Sequence, residues 1–96
     1  MLTVVHHTIK NPETAFARGE KLMRSEGAPA GTRVMQFYPS QDGAAVTCLW
    51  QSQSVESVQQ YVDSVLGDSS DNTCYQVDAT KAFAETPAGL QAAPSP

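Results

Sequence analysis

The amino-acid sequence predicts one small α+β domain, two β-α-β halves around a four-stranded antiparallel sheet with both helices on one face. Three observations carry that expectation. Four short runs are rich in β-branched and aromatic residues and lack a helical period. Two further stretches show an apolar stripe at helical spacing behind a capping residue. Between the second and third runs, Asp42-Gly43 supplies hairpin chemistry.

Taken in order, residues 2–9 (Leu-Thr-Val-Val-His-His-Thr-Ile) read as a strand. Asn11-Pro12 follows, with Asn as N-cap and Pro at the first helical position, and Glu13 suits the positive end of the helix dipole. Ala15, Phe16, Gly19, Leu22 and Met23 form one stripe, which Gly27, Pro29 and Gly31 terminate. Residues 32–38 make a second strand, Pro39 to Gly43 a turn, and residues 44–51 a third strand. Ser54 caps a second helix whose stripe is Val55, Val58, Tyr61, Val62, Val65 and Leu66, with Gly67 as its stop. Asp68 to Asn72 read as a polar loop and residues 73–79 as a last short strand. The domain is expected to span residues 1–85. Residues 86–96, rich in Pro, Ala and Gly, are expected to form a loosely held tail.

The resulting order, β-α-β-β-α-β, resembles the ferredoxin-like fold. Right-handed crossovers then put strands 1 and 3 at the centre and strands 2 and 4 at the edges. Within strands 1 to 3 both alternation classes carry apolar residues: Leu2, Val4, Val46 and Trp50 in one, Val5, Ile9, Phe37 and Leu49 in the other. A sheet wetted on one side alternates more cleanly. The expected remedy is a homodimer through the open sheet face, and in length and element order the chain resembles the dimeric α+β barrel proteins. The resemblance covers residues 1 to about 83 and rests on pattern. It implies a wide range of roles, among them cofactor-independent monooxygenases, haem-degrading, polyketide-cyclising and dehalogenating enzymes, and binding proteins, so that fold alone selects no chemistry.

Composition narrows the classes. Six basic residues against ten acidic ones leave a net charge of −4, and the cations are scattered, which argues against nucleic acid and anionic membranes. No stretch approaches the ~20 apolar residues of a membrane span, and residues 1–7 lack signal-peptide features. A cytoplasmic setting, with Cys48 and Cys74 reduced, is expected. A disulfide between them is disfavoured, because strand 1 would hold strands 3 and 4 about two spacings, ~9.6 Å, apart.

Chemistry-bearing side chains are few. His6 and His7 are the candidate catalytic residues, since imidazole titrates near neutrality. Adjacent on a strand, they point to opposite faces, so that at most one enters a given cavity. A histidine on a central strand is more often a hydrogen-bonded core residue than a catalytic group or ligand. Parity with regular register groups His6, Cys48 and Trp50 on one face, joined by Tyr38. Trp50, Tyr38 and Cys48 are thus the candidate substrate-binding residues, and Cys48 at mid-strand is expected to be an inert thiol. No Cys-x-x-Cys, His-x-x-x-His or phosphate-binding glycine pattern occurs. Neither a metal nor a cofactor is expected, and a site built from one His with Cys48, or from histidines of two subunits, is the residual metal alternative. The expected function is binding of, or cofactor-independent monooxygenase- or cyclase-like action on, an aromatic or polyketide-like ligand in a sheet–helix cavity. The alternative is a non-catalytic binding or assembly module.

Overall fold

The computed structural model describes residues 1–93. The last three residues of the expected tail, 94–96, lie outside the described residues. Strands β1 (Leu2–Ile9), β2 (Arg33–Pro39), β3 (Ala45–Gln51) and β4 (Ser70–Gln76) form one antiparallel sheet in the order β2-β3-β1-β4. Helices α1 (Pro12–Met23) and α2 (Val55–Leu66) bury Leu22, Val58, Tyr61, Val62 and Leu66 against Val5, Val46, Cys48 and Trp50 of one sheet face. The chain is a four-stranded antiparallel α+β fold, compatible with the ferredoxin-like arrangement, with β1 and β3 central. No helix among the described residues is long and apolar enough to cross a membrane.

Local chemistry explains where the elements begin and end. Asn11 Oδ1 accepts from the Thr14 amide at 3.1 Å and Pro12 occupies the first turn of α1. Ser54 Oγ accepts from the Ser57 amide at 3.1 Å at the start of α2. Gly67, at φ 57°, turns the chain out of α2 where a side chain is strained. In the β2–β3 hairpin, Asp42 Oδ1 accepts from Ser40 Oγ at 2.7 Å and from the Ala44 amide at 2.9 Å.

Two expectations about strands need correction. The fourth strand runs from Ser70 to Gln76 rather than 73–79, and a short 3-10 turn, Gly67–Ser69, leads into it. Ser70, Asp71 and Asn72 have low strand propensity, but β1 presents a full row of backbone partners to them, with Ile9 opposite Ser70 and Thr8 opposite Asp71. Asp78 lies beyond the strand, where its Oδ1 accepts from the Thr80 amide and hydroxyl at 3.0 and 2.6 Å and Oδ2 lies 3.9 Å from Lys81 Nζ.

The second correction concerns faces. β1 pairs with β3 so that Thr3 opposes Trp50, Val5 opposes Cys48 and His7 opposes Val46. Directly opposed residues share a face, so odd positions of β1 join even positions of β3. His6 therefore does not share a face with Cys48 and Trp50. It opposes Thr47 on the open side, with its Nδ1 3.3 Å from Thr47 Oγ1. A one-residue offset moves every side chain of a strand to the other face, and nothing local to either strand sets that offset. In β2 a bulge between Val34 and Gln36 adds a second parity change: Val34 and Phe37 join the helix side, Gln36 and Tyr38 the open side. The open face is consequently less apolar than parity suggested, with Val46, Cys48 and Trp50 all beneath the helices.

Removing the Ser54 cap tests the account of α2. Ser54→Ala is expected to cost about 1 kcal/mol, read as a lower urea midpoint with an unchanged slope.

Candidate functional site

Helix α1 hangs from α2 more than it rests on the sheet. Arg18 Nη1 donates to the Leu66 carbonyl at 2.9 Å and lies 3.2 Å from Asp68 Oδ1. Tyr61 donates its hydroxyl to the Glu26 carbonyl at 2.5 Å, which ties down the loop after α1. Towards the sheet α1 presents two small residues, Ala15 and Gly19, and a Cβ built on Gly19 meets nothing nearer than Leu66 Cδ2 at 4.0 Å. The gap so left is a cavity of about 310 Å³, at the lower end of the ~300–1,000 Å³ usual for small-molecule sites.

The floor of the cavity is His7 and Ile9 of β1, Val46 and Cys48 of β3, and Phe37 of β2. Its roof is Ala15, Phe16, Gly19, Leu22 and Met23 of α1, with Leu66 closing one end and Glu20 also on the wall. Phe16 and Phe37 are each about 40% exposed and sit at the mouth. Of the residues singled out from sequence, the structure brings His7 and Cys48 to this cavity. His6 and Tyr38 are on the other face, and Trp50, fully buried, packs edge-on against Tyr61 with centroids 5.9 Å apart. The indole N–H of Trp50 and the Thr32 hydroxyl are buried without a hydrogen-bond partner among the described residues.

His7 is the polar centre of the floor, and its surroundings specify its state. Nδ1 lies 2.6 Å from Asn72 Oδ1. Asn72 in turn donates Nδ2 to Asp63 Oδ1 at 2.8 Å and accepts from Ser70 Oγ at 2.7 Å. Burial pulls the imidazole below its ordinary value of 6.5, opposed by the Asn72 hydrogen bond, assisted by the neighbouring His6 and resisted by Asp63. His7 is therefore neutral at neutral pH. Burial also pushes the Cys48 thiol up to about 12 and the Cys74 thiol up to about 11, Asp63 adding to the latter. Both are free, and neither is a nucleophile at physiological pH. Val5 lies between them in the sheet, opposite Cys48 on one side and Cys74 on the other.

Asn72 and Ser70 escaped the sequence reading because residues 68–72 have the composition of a loop, and Asp63 because it stands outside the apolar stripe of α2. A signal was present: an asparagine inside a strand is disfavoured and so invites a search for what its amide holds. Among the described residues no group of three or more His, Cys, Asp or Glu side chains could hold a metal ion.

The state of His7 makes stability depend on pH. With the folded-state value held below 6.5, the unfolded chain takes up a proton first as pH falls. The contribution of neutral His7 is complete above about pH 6.5 and declines on acidification towards the folded-state value. Between about pH 7 and about pH 5, the urea midpoint of His7→Gln should fall less than that of wild type. Equal losses would remove His7 as the cause.

The chain matches no known family model, and no curated protein matches it.

Proposed function

We propose that the protein binds a small, mostly apolar ring compound carrying one proton donor, in the cavity between α1 and the sheet. One observation supports this above the others: an apolar cavity of about 310 Å³ has a single buried, neutral imidazole in its floor. Apolar walls with a few polar groups, here His7 in the floor and Glu20 on the wall, are the usual composition of a small-molecule site. Lys10, Arg18, Arg24 and Lys81 are all engaged with carboxylates, and no cation lines the cavity. A carboxylate or phosphate ligand would lack a counter-charge there, whereas a phenol or enol O–H meets an acceptor. His7, as that acceptor, is also the group that would act as general base if the bound compound reacts. A packing-only module is the weaker reading, since it gives no reason for open space around the most polar buried ring.

The same reading includes a ferredoxin-like chain that self-associates through its open sheet face. Support comes from Leu2, Val4 and Leu49 at the centre of that face, flanked by Tyr38 and Tyr75, which are 39% and 58% exposed. Patches of this kind mark association surfaces when contiguous.

Calorimetric titration with 2-naphthol and with its methyl ether tests the ligand reading. Wild type should bind the naphthol at least roughly tenfold more tightly than the ether, because the ether leaves a buried acceptor unpaired. Ala15→Leu, which fills the roof, should abolish binding of both. Failure of wild type to bind either compound sinks the proposal. Sedimentation at micromolar concentration should return twice the 10.3 kDa chain mass, and a mass of one chain removes the dimer.

A further inference from the structure

We infer that Asn72, held by Asp63, is a positioning residue that fixes His7 in the tautomer with its proton on Nδ1, leaving Nε2 as the lone pair offered to the cavity. The inference deepens the ligand-binding proposal and rests on it for its consequence, although the tautomer itself is a property of the unliganded protein.

The chain of hydrogen bonds allows one reading. Asp63 carries a carboxylate, which can only accept, so the Asn72 atom facing it at 2.8 Å is the amide nitrogen. That fixes the amide orientation and turns Oδ1 towards β1. Oδ1 accepts from Ser70 Oγ at 2.7 Å. Lying 2.6 Å from His7 Nδ1, it can only accept there too. Nδ1 must therefore bear the hydrogen, and in a neutral ring Nε2 then bears none. Among the described residues no side chain bonds Nε2, while His7 itself lines the cavity.

The other end of the chain is anchored by α2. Gln59 Nε2 lies 3.1 and 3.0 Å from the two carboxylate oxygens of Asp63 and donates to the Asn72 carbonyl at 2.9 Å. One glutamine thus ties the carboxylate to the strand that carries Asn72. Asp63 is on the exposed face of α2, Asn72 is half-buried and His7 is buried, so that a surface charge orients a cavity group through one neutral amide. The order carboxylate, amide, imidazole resembles in logic any base whose far ring nitrogen is held by a hydrogen-bond acceptor. Here the middle member is uncharged, which favours a neutral ring able to take a proton rather than one that already holds it.

The test is long-range ¹H–¹⁵N correlation of the imidazole nitrogens in unliganded protein, with His7 resonances assigned by their loss in His7→Gln. Wild type should show a protonated Nδ1 and a bare Nε2. Asn72→Ala should shift the population towards the Nε2–H form that free imidazole side chains prefer. Asp63→Ala, at an exposed position of α2, should give a mixture as the amide is released to turn. An Nε2–H pattern in wild type overturns the inference, and a pattern unchanged in both variants overturns the positioning role. Titration with 2-naphthol is the separate arm. If the tautomer is as expected but wild type binds no naphthol, the positioning stands and the ligand proposal falls. If wild type binds and Asp63→Ala weakens the naphthol several-fold but not its methyl ether, both stand. An equal effect on the two ligands overturns the link between tautomer and recognition.

Discussion

The pairing of β1 with its two neighbours is the constraint on which the rest depends. Val5 opposes Cys48 on one side and Cys74 on the other, and every assignment of a side chain to a face follows from that alignment. It places His7 beneath the helices and His6 on the open side. It also places Asn72 opposite His7, which is what allows a polar pair to form on an otherwise apolar floor. Slide β1 by one residue and His6 would take the place of His7 in the cavity, opposite Val46 and Asn72. The two histidines are adjacent and chemically identical, so the sheet alone distinguishes them.

The cavity depends on a second compromise. A helix seated fully on the sheet would have closed it, but α1 draws its fixed contacts from α2, through Arg18 to Leu66 and through Glu26 to Tyr61. Ala15 and Gly19 then face the space with little side chain to fill it. Interiors are ordinarily filled to crystal-like density, so a gap maintained by small residues on one wall and aromatics at its mouth is a consequence of specific choices along α1.

Much of the architecture was legible in the sequence because its determinants are local. Asn11-Pro12, Ser54, Gly67 and Asp42-Gly43 each mark a boundary through chemistry within a few residues, and the stripe of α2 needs only its own period. The central position of β1 and β3 followed from connection handedness. What was illegible is non-local. The offset between β1 and β3, and the bulge at Met35, depend on how whole strands meet. With even parity assumed, His6 was grouped with Trp50, and of the true partners of the site Asn72 lay in a stretch whose Ser and Asp content reads as loop, Asp63 outside the apolar stripe of α2. Asn72 acquires strand geometry and a hydrogen-bonding task only once β1 is beside it.

The burial of Trp50 has a practical consequence. It is the one tryptophan in the chain, fully enclosed and fixed edge-on to Tyr61 of α2. Two aromatic chromophores held at a defined angle in a chiral setting give the molecule an internal optical gauge of whether α2 is seated on the sheet. Its emission colour and near-ultraviolet dichroism report docking of that helix, separately from the backbone content that far-ultraviolet signals record.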